Sequence, residues 1–212
     1  MAALFPPWAN TATHVVLLVL VVGGVAAVAA PMIYARTPFA TGAGDPVVQP
    51  IQFDHRHHVR DDGIDCLYCH DGAVRGPLAG VPAADRCMGC HAQIWNDAPV
   101  LAPLRDSVAT GAPIRWQRVH ALPDFVYFEH AVHTRRGVGC VTCHGRVDEM
   151  AAVVQVAPLT MAWCLDCHRD PAPHLRPQAA ITSTTWAPGP DQADVVAAYA
   201  PRRLTHCSAC HR

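Results

Sequence analysis

Lysine is missing from this chain: all sixteen basic residues are arginine. There is no run of basic side chains and the formal net charge is −1, so a nucleic-acid-binding surface has no support. Aromatic residues are scarce, at 7%, although hydrophobic residues as a class reach 51%. Ala-rich and Pro-flanked apolar stretches inflate the second figure. A core built from side chains alone is therefore expected to be thin, with something else filling the interior. No cysteine stands outside a Cys-x-x-Cys pair, and all ten are used in this way. A disulfide framework would not require a histidine straight after each pair, yet one follows all five times.

The stretch His14–Tyr34 has no charged side chain apart from what His14 can carry. About 20 apolar residues suffice to cross a bilayer as a helix. The competing reading is a cleaved signal peptide, but Pro31 follows the AVAA stretch, where a signal peptidase handles proline badly. Residues 1–35 are thus expected to be an uncleaved membrane anchor. No basic residue precedes the segment and Arg36 follows it, so loop charge is silent or mildly adverse on orientation.

The five motifs are Cys66-Leu-Tyr-Cys69-His70, Cys87-Met-Gly-Cys90-His91, Cys140-Val-Thr-Cys143-His144, Cys164-Leu-Asp-Cys167-His168 and Cys207-Ser-Ala-Cys210-His211. Cys-x-x-Cys-His is the attachment pattern of c-type haem. Residues i and i+3 share one side of a helical turn, so two thiols reach the two vinyl groups of one porphyrin. The following imidazole meets the iron as proximal ligand. Zinc often uses Cys-x-x-Cys pairs but has no need of an adjacent histidine every time. A thioredoxin-like site would appear once, in a βαβ setting. Haem is attached on the oxidising side of the bacterial membrane. Residues 36–212 are therefore expected to be a periplasmic domain with five covalently bound haems, on a single-pass anchor in the cytoplasmic membrane. Arginine grips carboxylates at two points, which suits haem propionates; a GC-rich coding sequence would equally favour arginine.

The chain repeats itself. Phe53-Asp-His55-Arg-His57-His58 precedes the first motif and Phe128-Glu-His130-Ala-Val-His133 precedes the third. Both read F-x-H-x-x-H, with a second haem motif starting 21 or 24 residues after the first. The two-haem units are 53–91 and 128–168, and the fifth motif lies in the C-terminal tail. Five six-coordinate irons need about ten axial ligands. Histidines at i and i+3 share a helix face and can reach two different haems, so His55, His58, His130 and His133 are the distal candidates. His120 is the candidate for the fifth, with Met161 and His174 as alternatives. His206 adjoins its own motif, and His57 can hydrogen-bond a propionate.

The expected fold is that of a multihaem cytochrome c: short helices and irregular loops wrapped around five haems, with one N-terminal transmembrane helix. Nineteen prolines favour turns. Ala98–Pro103 and Trp186–Pro190 read as loops, and Asp191–Tyr199 as a short helix capped by Asp191.

The run PVVQPIQFDHRHHVRDDGIDCLYCH resembles the pentahaem cytochrome c subunit of alternative complex III, a bacterial quinol:electron acceptor oxidoreductase. The resemblance continues through GVPAADRCMGCHAQIW, PIRWQRVHALPDFVYFEHAVH, GVGCVTCHGRVDEM, LTMAWCLDCHR and CSACHR, covering nearly all of the chain after residue 46. It implies an electron relay in a respiratory or photosynthetic complex, passing electrons towards a periplasmic carrier or oxidase. It also implies partners: an iron–sulfur subunit, polytopic membrane subunits with the quinol site, and a monohaem cytochrome c. A stand-alone membrane quinol dehydrogenase feeding a periplasmic reductase is the alternative. Such proteins hold a haem close to the membrane exit, whereas about 30 residues separate Tyr34 from Cys66. A nitrite-reducing type of multihaem enzyme needs an iron with an open position, often held by lysine, and lysine is lacking.

Overall fold

The computed structural model describes residues 5–211. Residues 1–4 of the expected anchor and Arg212 of the expected haem domain lie outside them. The chain divides into two compact units, one ending at Gly42 and one beginning at Ala43.

The first unit is dominated by α1 (Trp8–Tyr34), a helix of 27 residues. Its most apolar stretch has a mean hydropathy of 2.7, and none of that stretch is buried. At 1.5 Å per residue it runs for about 40 Å, more than the roughly 30 Å hydrocarbon core of a bilayer. A helix that is apolar all round needs an apolar surrounding. By length and composition α1 can cross a membrane as a single-pass anchor. It starts ahead of the apolar run at His14, since the preceding turn continues helically, with the Thr13 hydroxyl donating to the Ala9 carbonyl at 2.8 Å. Helix α2 (Pro38–Thr41) ends at Gly42, whose φ of 68° is the left-handed cap glycine tolerates.

The second unit is a chain of short helices. A π-helical turn (Arg56–Asp61) is followed by α3 (Cys66–Cys69), α4 (Ala84–His91) and α5 (Ala102–Thr110). Then come α6 (His130–Arg135), α7 (Cys140–His144), α8 (Met161–Arg169) and α9 (Gln192–Tyr199). Among the described residues there is no β-strand, only the isolated bridges Pro46–Val154 and Val138–Leu175. This is the expected class of short helices and irregular loops.

Two local expectations are corrected. Ala98–Pro103 is not a loop: Pro99–Leu101 forms a 3₁₀ turn that leads directly into α5. Proline is at home in a first helical turn, where its missing N–H costs nothing. Leu101 and Leu104 are buried there and give the turn its reason. Asp191 does stand ahead of α9, but its side chain makes no capping bond. Its ψ of 5° is not the extended geometry from which a carboxylate reaches the first N–H groups.

The side-chain core is thin, as expected. Ile51, Leu101 and Leu104 form one small cluster, with Cys87, Met88 and Trp116 packed against it. Burying one such side chain is worth about 1.5–3 kcal/mol, and ordering one residue's backbone costs about 1–2 kcal/mol. A handful of buried aliphatics cannot order so long a chain. This composition needs apolar bulk from another source.

Candidate haem sites

Four of the five motifs lie on α-helical turns: α3, the end of α4, α7 and the end of α8. The Asp65 carboxylate caps α3 by accepting from Leu67 N at 2.8 Å, and Thr160 caps α8 by accepting from Trp163 N at 3.4 Å. The fifth motif forms a 3₁₀ turn, Cys207–Ala209. In that turn i and i+3 eclipse, so its two thiols still share one side. None of the ten cysteines is joined to another as a disulfide.

The imidazoles are held in a recurring way. The Nδ1 atoms of His70, His91 and His211 lie 2.7, 3.1 and 3.0 Å from the carbonyl oxygens of Gly80, Ile94 and Phe125. Those of His58, His130 and His133 lie 3.0, 2.7 and 2.8 Å from the carbonyls of Asp54, Pro77 and Glu129. A carbonyl can only accept, so each Nδ1 carries the proton and each Nε2 keeps a lone pair for a metal.

The two F-x-H-x-x-H units have the same internal geometry. Phe53 stacks on His58 at 4.2 Å and stands edge-on to His55 at 4.7 Å. Phe128 stacks on His133 at 4.5 Å and stands edge-on to His130 at 4.7 Å. The phenylalanine sets the plane of both rings.

These histidines meet the motif histidines. His58 and His91 have ring centres 6.2 Å apart, His133 and His168 6.1 Å, and His130 and His144 6.4 Å. Two imidazoles on opposite faces of one iron, each nitrogen about 2 Å from it, hold their centres roughly 6 Å apart. The side chains present therefore fit six-coordinate haem. The neighbouring His70 disfavours a charge on His55, whose Nδ1 is buried without a partner. His120 also has a buried, unpartnered nitrogen, Nε2, but its ring centre is 4.3 Å from that of His144. At that separation the two cannot flank one iron as they stand.

Burial, then neighbouring imidazoles, pushes His55 down to about 4 and His144 down to about 3. Burial also lowers His120 and His133. A neutral imidazole is the form that ligates metal. Burial likewise pushes the Cys143 thiol up to about 12, well away from a free thiolate.

Met161, an alternative fifth ligand, and His57, the expected propionate partner, are placed differently. Met161 is 67% exposed at the start of α8. His57 is exposed, lies 3.4 Å from Asp62 and stacks on Trp95 at 5.8 Å. Between the first two motifs is a cavity of about 690 Å³, lined by Tyr68, Cys69, Leu78, Val81, Arg86 and Gly89. Cofactor pockets span about 300–1,000 Å³. Gly72 forms part of its wall because the Leu78 and Ala79 carbonyls pass where a Cβ would stand. The orienting carbonyls of Gly80, Ile94, Phe125 and Pro77 escaped sequence reasoning, since any residue type supplies one. The two phenylalanines were legible as the invariant first letter of the repeat.

No family model matches the chain. It is similar to the multihaem cytochrome c subunit of the menaquinone reductase of Nitratidesulfovibrio vulgaris, with 36% identity over 97 residues. The match spans 45% of this chain and 45% of that protein. Together with the Cys-x-x-Cys-His motifs on their helical turns, this similarity points to a multihaem cytochrome c with covalently bound haem c.

Proposed function

We propose that this chain relays electrons through five covalently bound haems within a membrane quinol-oxidising complex of the alternative complex III kind. The observation that carries the reading is the three histidine pairs with ring centres 6.1–6.4 Å apart, each joining a motif histidine to an F-x-H-x-x-H histidine. Bound haem supplies reversible one-electron chemistry at iron. The chain's residues attach, orient and cap it. Each cysteine pair would hold one haem, with His70, His91, His144, His168 and His211 as iron ligands. His58 would share an iron with His91, His133 with His168, His130 with His144, and His55 with His70. His120, with its unpartnered buried Nε2, is the fifth distal ligand, ahead of Met161 and His174. Capping both faces of an iron leaves no place for a substrate and suits outer-sphere electron transfer.

Helix α1 anchors the chain in the cytoplasmic membrane with the haem unit on the periplasmic side, where c-type haem is attached. The partners of this reading are an iron–sulfur subunit, polytopic quinol-binding subunits and a monohaem cytochrome c. The relative's name, menaquinone reductase, supports a second reading with the same relay running towards the quinone. Capped irons conduct either way, so the potentials of the partners set the direction.

The test is mild detergent extraction of the tagged full-length chain, followed by pyridine haemochrome and subunit analysis. Five haems per chain and co-purifying iron–sulfur and polytopic subunits are expected. Three or fewer haems in matured protein would sink the haem assignment. A lone chain with full quinol dehydrogenase activity would favour the stand-alone alternative.

A further inference from the structure

The two repeats are tied to each other in a reciprocal manner. The π-helical turn Arg56–Asp61, which carries histidines of the first repeat, packs against Val147–Glu149. That 3₁₀ turn directly follows the third motif. Helix α6, which carries the histidines of the second repeat, packs against Asp71–Val74, the 3₁₀ turn directly after the first motif. The second contact is hydrogen-bonded along its length. The Thr134 hydroxyl donates to the Ala73 carbonyl at 3.0 Å, Arg135 to the Val74 carbonyl at 3.0 Å, and Ala131 N to the Gly76 carbonyl at 3.1 Å. Thr134 is 6% exposed, so its bond is made away from water. Each repeat's histidine turn thus leans on the segment after the other repeat's first motif.

A second brace joins the same two motifs. Ile181 and Thr182 are adjacent: the Ile181 carbonyl accepts from Cys140 N at 3.0 Å. The Thr182 hydroxyl donates to Asp65, the cap of α3, at 2.6 Å.

The remaining motifs attach outward from this junction. Arg86, next to Cys87, lies over the ring of Tyr68 inside the first motif at 4.9 Å. The cavity beside them is lined by Cys69 of the first motif and Gly89 of the second. On the other side, His130 and His133 of one short helix face His144 and His168 of the third and fourth motifs. The fifth motif sits on the run that leads into the second repeat: Tyr127 N donates to the Cys210 carbonyl at 2.8 Å, and His211 Nδ1 to the Phe125 carbonyl at 3.0 Å.

We propose that the two repeats meet at the first and third motifs, so that the five haem sites follow the spatial order second, first, third, fourth, fifth. Electron tunnelling falls off steeply with the gap between donor and acceptor, so spatial order is conduction order. The motif nearest the anchor in sequence is then internal to the relay. Its ends are the sites at His91 and His211, and redox partners exchange electrons there. This inference rests on the reading of the motifs as haem sites.

The test uses the full-length chain in its detergent-extracted assembly. Haemochrome assay first establishes five haems, and electron cryo-microscopy then gives the iron–iron distances. The expected result is that the shortest iron–iron distance between repeats joins the irons at His70 and His144, with those at His91 and His211 terminal. A shortest inter-repeat distance that involves His91 or His168 would overturn the order while leaving the haem assignment intact. Three or fewer haems would overturn the assignment and the order with it. Soret circular dichroism gives a second readout. Removing the second motif's attachment (Cys87→Ala with Cys90→Ala) should preserve the exciton coupling between repeats. Removing the first motif's (Cys66→Ala with Cys69→Ala) should abolish it, and equal loss in both variants would also overturn the order.

Discussion

At the scale of single residues, the weight falls on imidazoles whose Nδ1 proton is committed to a carbonyl. His58 and His133 occupy equivalent places, each bonded to the carbonyl four residues earlier and each stacked on the phenylalanine of its own unit. Backbone and ring together leave only Nε2 for a ligand, pointed in one direction. Replacing His58 with Ala should therefore leave the haem count at five but turn one haem, that of His91, high-spin. His133→Ala should do the same to the haem of His168. The check is electron paramagnetic resonance and the charge-transfer band of the oxidised protein. If both variants keep fully low-spin spectra, these two histidines are not iron ligands. Double variants with His57→Ala would exclude a neighbour stepping in.

At the scale of elements, the repeats differ in one instructive way. Seven residues separate His58 from Cys66, while six separate His133 from Cys140. The first unit absorbs the additional residue by winding as a π-helical turn, where the second is α-helical. A π-turn is the common way to accommodate one inserted residue, and it recurs at functional sites. The ring geometry about Phe53 and Phe128 is preserved despite it. The other decisive element is α1. Its 27 residues carry no Asp, Glu, Lys or Arg, so its transfer out of water outweighs any salt-dependent attraction. The full-length protein should stay with membranes through a high-salt carbonate wash. A chain in which a cleavable export signal replaces residues 1–42 should appear in the soluble fraction with its haem. Release of the full-length protein by salt alone would contradict a spanning helix.

At the scale of the whole molecule, one apolar helix and one unit of short helices bearing five Cys-x-x-Cys-His motifs set the limits on function. Quinol oxidation releases two protons and divides two electrons, which requires an enclosed pocket with a titratable acceptor at the membrane. Among the described residues only α1 is long and apolar enough to cross a bilayer, and its one imidazole, His14, lies towards its N-terminal end. A single helix cannot enclose a quinol, so the proposed relay takes its quinol pocket from partner subunits. The isolated, haem-complete chain should be reduced rapidly by a small donor. It should show negligible turnover with a reduced quinol analogue until the membrane subunits are restored. Turnover equal to that of the intact complex would refute the relay and leave a self-contained dehydrogenase.

Much of this was legible from the order of residues alone, because it depends on short-range periodicity. Thiols at i and i+3, a histidine directly after them, an uninterrupted apolar run and a repeated F-x-H-x-x-H all express themselves within a few turns of chain. Composition likewise foretold the thin core. The tertiary structure decided which histidine faces which. It brought His130 to His144 and set His120 too close to the same ring. It also supplied Nδ1 acceptors 10, 53 and 86 residues away in sequence. It turned Ala98–Pro103 into a helical lead-in because Leu101 and Leu104 had a core to enter. The physical reason is common to these cases. A backbone carbonyl is the same group on every residue, so its use as an acceptor leaves no mark on the sequence. Pairing between distant segments is settled only when the whole chain has closed around its contents.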